Sequence, residues 1–319
     1  MKKILVTGGM GFVGSALVEL LSDENYSVDV VDNGLSGDIH FSVHGYVGFD
    51  FYSPYILEKV LPQYDIIVHL AAIVGAPACD IDKDFAYQTN VVGTQALVNA
   101  LQPHQKLVFT SSTSAYGNQS ETVTEESTLS PLTAYGVHKA LCETIIKEQC
   151  KARYIILRPA TAFGVSQKIR LDLLPNTLIY KAITEKVIDL FEPEVIRPFI
   201  HVYDFARVIQ WAIDDTMEWN EVYNIGDPHL TMQKWKLAST ISELADAKLV
   251  LRDGNDPDMR NYDVSFEKLL DTGFTFPEKR LQLGFAQIAN VLPELRENAD
   301  KYNTPHNVKM FLKRGEEIN

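Results

Sequence analysis

Thr7-Gly8-Gly9-Met10-Gly11-Phe12-Val13-Gly14 decides how this chain is to be read. The apolar run Ile4–Val6 leads into it, and the amphipathic stretch Val13–Leu21 leads out of it. Gly9, Gly11 and Gly14 therefore form G-x-G-x-x-G between a strand and a helix, the context that gives the motif meaning. Glycines there permit a tight turn and let the backbone approach a pyrophosphate at the helix N-terminus. The other reading is a plain structural turn. No Gly-Lys-Ser/Thr follows, so a nucleoside triphosphate loop is excluded. Gly8, Gly11, Phe12, Val13 and Gly14 are the expected dinucleotide contacts of this turn.

The next strand, Val28–Val31, runs into Asp32, about 20 residues past the turn. A carboxylate in that place accepts hydrogen bonds from both ribose hydroxyls of adenosine and repels the extra phosphate of NADP, which predicts NAD. Alternatively, Asp32 caps the turn before Gly34. Working outward, short apolar runs recur at Ile66–His69, Leu107–Thr110 and Tyr154–Leu157, with amphipathic stretches such as Asn90–Leu101 between them. Buried strands separated by helices predict a Rossmann-type α/β fold, a doubly wound parallel sheet with right-handed crossovers. The pattern suggests about seven such units before Arg158-Pro159. After that pair the rhythm loosens, with breakers at Pro175, Pro193, Pro198 and Pro228 and helices expected over Asp172–Thr184, Tyr203–Asp214 and Thr231–Ala245. The expected division is a cofactor domain over residues 1–165, with returning segments near 196–227, and a smaller α/β substrate lobe over 166–319. From about Asn298 the chain is polar and reads as an exposed tail.

Composition narrows the partners. With 46% hydrophobic and 22% charged residues the chain is ordinary globular protein, and its 319 residues suffice for two lobes. A net charge of −13 disfavours nucleic-acid binding, which needs a basic surface, and adhesion to anionic membranes. Anionic ligands must then be held by local donors such as helix N-termini and a few arginines. Cys79, Cys142 and Cys150 show no C-x-x-C spacing, which predicts reduced thiols and a cytoplasmic location. The opening MKKILVTGG is too short in its apolar part for a signal peptide, and no run approaches the ~18 apolar residues of a membrane span. No histidine or cysteine spacing suggests a metal site.

Tyr135 and Lys139 stand one helical turn apart on one face. An ammonium beside a phenol, together with a positively charged nicotinamide, favours the phenolate, so Tyr135 is a candidate base. A solvated surface pair is the alternative. Val108-Phe109-Thr110-Ser111-Ser112 brings a hydroxyl, Ser112, to the carboxyl end of a strand, where ligands of α/β sheets sit. Serines in that place also serve simply to satisfy a strand end.

These features in this order resemble the extended short-chain dehydrogenase/reductase family, the nucleotide-sugar epimerase and dehydratase group. The set is TGGMGFVG, Asp32, His69-Leu-Ala-Ala72, Asn90-Val-Val-Gly-Thr94, Ser111–Gly117, Tyr135 with Lys139, Leu157-Arg-Pro159 and Arg197-Pro-Phe-Ile-His-Val202. The resemblance implies Ser112 as the catalytic hydroxyl, Tyr135 as the base and Lys139 as the group that tunes it. It implies Asp50 as the adenine contact, although Ser53 replaces the second acid of that loop, with Asn33 and Phe51 beside it. Leu70, Ala71 and Ala72 become the wall along the cofactor, and Asn90 a brace and contact at its active-site end. Val74 and Thr161 fall in the sugar site, Thr161 where relatives often carry Asn. Arg197 and Arg260 become the cations for a diphosphate, suited to it because guanidinium binds phosphate oxygens in pairs; surface salt bridges to carboxylates are the alternative. Thr113-Ser114 replaces the acid pair that dehydratases use, which argues against dehydration. Ala72–Cys79 and Arg170–Leu174 are similar to a GDP-heptose 4-dehydrogenase branch, whereas Ser111–Gly117 is closer to 4-epimerases. The expectation is transient oxidation at C4 of a nucleotide-diphosphate sugar, with NAD returning the hydride to the other face. The alternatives are a 4-dehydrogenase that does not epimerise and a non-catalytic dinucleotide sensor. A homodimer through helices near Asp84–Leu101 and Thr133–Cys150 is implied as well.

Overall fold

The computed structural model describes residues 1–22, 26–35, 37, 44–254 and 261–318, with the backbone alone for 314–318. The first half builds a parallel sheet. Its strands are β1 (Lys2–Thr7), β2 (Tyr26–Asp32), β3 (Gly45–Val47), β4 (Ile66–His69), β5 (Lys106–Thr110) and β6 (Arg153–Pro159). A seventh strand, β7 (Glu221–Ile225), joins from far along the chain. The order across the sheet is β7-β6-β5-β4-β1-β2-β3. All six neighbouring pairs are parallel. The order reverses between β1 and β4, so a crevice opens there at the carboxyl ends of the strands.

The strands are apolar because both faces are covered. Ile4, Leu5 and Val6 of β1 have no exposed surface, as expected of parallel strands sandwiched by helices. One face packs on α1 (Phe12–Ser22) and on the later helix Val202–Ile213, the other on Gly93–Ala100 (α2) and Ala134–Gln149 (α3). Each fully buried leucine or isoleucine contributes about 1.5–3 kcal/mol. α3 starts cleanly because the Thr133 side chain accepts a hydrogen bond from Gly136 N.

The remaining helices, numbered onward, are α4 (Leu174–Thr184), α5 (the Val202–Ile213 helix), α6 (Lys234–Ala245), α7 (Arg280–Glu297) and α8 (Thr304–Ile318). α4, α6 and α7 enclose a second core that includes Ile179, Ile188, Ile241 and Ile288. Short strand pairs stitch this half together, among them Ile196–Arg197 with Met232–Gln233.

Three sequence expectations are corrected. Six sheet strands, not seven, are complete by Arg158-Pro159, which ends the sixth; the seventh is β7, which pairs with β6 after the chain has built part of the second core. Met232–Gln233 is strand, so the helix expected from Thr231 begins at Lys234. The stretch after Asn298 is not an exposed tail. It forms a turn of 3-10 helix and then α8, with Tyr302 and Val308 buried. Val308 packs among Ile73, Ala78, Cys79, Ala86 and Tyr135, and Phe311 stacks on Phe85. A mostly polar stretch docks because its few apolar residues, Val308, Phe311 and Leu312, fall on one helical face.

Candidate active site

The crevice is a cavity of about 1030 Å³. Its floor is the glycine turn, with Gly8, Gly11, Phe12, Val13 and Gly14 all lining it. The need for glycine is steric. A Cβ on Gly14 would lie 2.2 Å from the Gly8 carbonyl oxygen. Gly8 has φ +72°, and a Cβ there would lie 2.7 Å from Ala71 N. Leu70, Ala71 and Ala72 then form one wall.

Asp32 ends β2 at the rim. Its Oδ2 accepts from Met10 N at 3.0 Å and its Oδ1 from Gly34 N at 2.9 Å. The capping reading of this residue is what these two bonds show, and Asp32 also lines the cavity. Burial raises its pKa, against the lowering effect of the two amides and Lys168. Asn33 Nδ2 donates to Asp50 Oδ1 at 2.9 Å, and Asn33, Asp50 and Phe51 all line the same end.

Ser112, Tyr135 and Lys139 line the cavity together, along with Val74, Thr161 and Arg197. Lys139 is 4% exposed; its ammonium donates to the Thr110 carbonyl at 2.7 Å and lies 5.8 Å from the centre of the Tyr135 ring. Burial lowers its pKa to about 8, partly offset by Cys142, Cys79 and Glu143. Ser112 Oγ accepts from Ser114 N at 3.1 Å and lies 2.9 Å from Ser114 Oγ. Arg197 is buried, and its backbone pairs antiparallel with Met232. Arg260 lies outside the described residues.

Asn90 departs from its expected place among the cofactor contacts. It does not line the cavity; its Oδ1 accepts from Ile73 N at 2.7 Å and its Nδ2 donates to Ile73 O at 2.9 Å. As the expected brace, it holds the loop that carries Val74, because a buried amide with a backbone N–H and C=O in reach satisfies both. His69 is structural, bonded to Thr7 Oγ1 and Thr94 Oγ1, and burial lowers its pKa to about 3.

Sequence reasoning missed two sets of residues. Glu143, one turn beyond Lys139, accepts from Ser111 Oγ at 2.5 Å and from Arg158 at 2.9 and 2.7 Å. Arg170, Asp172 and Thr304 also line the cavity. Thr304-Pro305 is a helix-start signature that could have been found.

A glycine cradle that admits no side chain, below a carboxylate at the end of β2, fits NAD. A model of the NAD dependent epimerase/dehydratase family matches residues 4–226. The chain belongs to that family. Among the relatives of this family member is the uncharacterized UDP-glucose epimerase of Bacillus subtilis, 31% identical over 270 residues, 78% of this chain and 84% of that one. GDP-6-deoxy-D-talose 4-dehydrogenase of Aggregatibacter actinomycetemcomitans is 28% identical over 295 residues, covering 87% and 94%. UDP-glucose 4-epimerase of Thermotoga maritima, solved with UDP-glucose, superposes with a TM-score of 0.80 over 91% of this chain and 99% of that one. At 24% identity, that likeness is one of fold. No helix of this family member is long and apolar enough to cross a membrane among the described residues.

Proposed function

We propose that this protein is an NAD-dependent nucleotide-sugar epimerase acting through transient oxidation at C4 of the sugar. One observation carries the reading: Ser112, Tyr135 and Lys139 face the same cavity as the glycine cradle and Asp32. The turn from Gly8 to Gly14 would hold the pyrophosphate, Asp32 the adenosine ribose, and Asp50 the adenine. Bound there, NAD supplies a reversible hydride acceptor.

Tyr135 takes the proton of the sugar 4-hydroxyl and later returns it. Lys139 keeps positive charge beside the Tyr135 ring, and its bond to Thr110 O ties that charge to the strand end bearing Ser112. Ser112 Oγ turns from Ser114 to bond the reacting oxygen, so the hydroxyl is held where Tyr135 acts. Arg197 holds the diphosphate, the kind of local cation an acidic protein needs for such a ligand. Val74 and Thr161 border the sugar. Thr113-Ser114 places no carboxylate beside Ser112 to expel water, which supports epimerisation over dehydration.

A second reading, a 4-dehydrogenase, draws on the dehydrogenase name of the relative that covers 87% of the chain. Purified protein incubated with a panel of UDP- and GDP-hexoses separates them. Epimerisation leaves product mass unchanged and alters the NMR couplings at C4; oxidation removes two hydrogens and accumulates NADH. A protein that binds NAD yet changes no sugar in the panel would defeat both. We further infer a cytoplasmic homodimer, since Cys79, Cys142 and Cys150 are unpaired and α3 carries an exposed apolar stripe.

A further inference from the structure

The cavity has a polar cluster that the mechanism above does not use. Arg170, Asp172 and Thr304 form it and line the cavity, brought together from the start of the second half and the start of α8. Arg170 donates to Asp172 through Nε at 3.2 Å and Nη2 at 2.5 Å. Thr304 approaches Asp172 Oδ1 with its amide at 3.4 Å and its hydroxyl at 3.5 Å. The backbone here is pinned on both sides. Asn176 Nδ2 donates to the Arg170 carbonyl at 2.9 Å, and Leu171 N donates to the Tyr302 carbonyl at 2.8 Å.

This cluster belongs to the reacting end of the crevice. Arg170 Nη2 would be 3.7 Å from a Cβ on Gly75, the residue after Val74, so the guanidinium lies against that loop. The same loop packs with Tyr135 and with Val308 of α8. Arg170 and Asp172 are 15% and 16% exposed, open to the cavity but largely out of bulk water. Burial alone would raise the Asp172 pKa; the Arg170 charge and the bonds from Arg170 and Thr304 outweigh it and hold the carboxyl below its usual range. The pair is therefore ionised, with no net charge.

We propose that Arg170, Asp172 and Thr304 form a sugar-reading subsite, completed by the C-terminal segment and built for an uncharged hexose rather than a sugar bearing a carboxylate. A guanidinium beside a carboxylate offers donors and an acceptor side by side, which matches hydroxyls that each donate and accept. A carboxylate on the sugar would meet the like charge of Asp172 while Arg170 is already engaged. Specificity here comes from the repulsive group as much as from the attractive one.

This inference rests on the nucleotide-sugar reading, and the test keeps the two apart. Steady-state kinetics would compare UDP-glucose with UDP-glucuronic acid, and GDP-mannose with GDP-mannuronic acid. NAD binding, followed by calorimetry, reports that each variant is folded. Wild type should favour the neutral sugar of whichever pair it uses. Asp172→Asn, which leaves Arg170 uncompensated, should shift that preference toward the uronic acid by roughly tenfold or more, mainly through KM. Thr304→Val should raise KM for the neutral sugar severalfold with kcat nearly unchanged. If wild type converts the uronic acid as well as the hexose, or the preference of Asp172→Asn is that of wild type, the subsite is refuted while the enzyme's activity stands. If wild type binds NAD and converts neither these four sugars nor any other member of the UDP- and GDP-hexose panel, the functional reading fails and takes this inference with it.

Discussion

Tyr135 is 9% exposed and sits between two things that matter to it: the cavity, and an ammonium held by a carbonyl. Tyr135→Phe removes one oxygen and little packing volume. It should lower kcat by about 10²- to 10⁴-fold, the range for loss of a positioned acid–base group, while NAD still binds. Wild-type turnover in that variant would remove Tyr135 from the chemistry. Lys139 adds a pH signature. Its pKa is lowered to about 8, so at pH 7 it is mostly charged and above about 8 the charge is progressively lost. Rising pH should thus remove the positive field beside Tyr135, and the pre-steady-state rate of sugar oxidation should fall on an alkaline limb centred near pH 8. The sign for stability is the reverse: a buried lysine with a depressed pKa penalises the fold most where it is charged, and that penalty eases as pH climbs through about 8. A flat rate profile to pH 9.5 would show that the charge is not required. At this scale much was legible. The glycine turn, Asp32, and Tyr135 with Lys139 are local patterns whose spacing carries geometry. Arg170, Asp172 and Thr304 were not, because Thr304 meets Asp172 across 132 positions of sequence.

Helix α3 is the element on which the site depends. It carries Tyr135, Lys139 and Glu143 at successive turns, so all three face the end of β5. Glu143 and Arg158 are each about 2% exposed and bonded in a fork, and Arg158 also donates to Tyr116 Oη at 2.8 Å. Burial would lower the Arg158 pKa, but the bonds and charge of Glu143 and Tyr116 hold it above its usual range. Removing one partner leaves a buried charge alone. Glu143→Gln should cost on the order of 3–5 kcal/mol, read as a lowered urea midpoint, whereas a double change to Leu and Met should cost less than that single one. An unchanged midpoint for Glu143→Gln would mean that water already screens the pair. Elements were legible where periodicity was strong: β1, β2, β4, β5 and α1 follow their apolar patterns. β7 falls within the returning segments expected near 196–227, but its pairing with β6 is decided by tertiary contact, which no local pattern records. α8 was hidden by composition, since its polar residues outnumber the apolar ones that dock it.

At the scale of the whole molecule, the two halves share one crevice, and the outer face of α3 points away from it. Val137 and Leu141, four residues apart on that face, are 39% and 40% exposed; Tyr87 and Val92 on the preceding helical stretch are 42% and 41% exposed. Apolar side chains at helical spacing on two adjacent helices form a stripe that water does not favour. A second copy related by a twofold axis would cover it with the same stripe, giving four helices packed together. α3 has 16 residues and so spans about 24 Å, long enough for a contact of roughly 800 Å² per partner, the usual size of a stable interface. The inner face of the same helix holds Tyr135 and Lys139, so association on the outer face would stiffen the catalytic helix from behind. Leu141→Glu places a charge at the centre of the stripe without touching the cavity. Sedimentation velocity should show wild type at twice the chain mass and the variant at the mass of one chain, with NAD binding retained in both. A wild-type protein that sediments as a single chain at micromolar concentration would leave the stripe without this role, and α3 would then owe its order to Glu143, Arg158 and its packing against the sheet and α2.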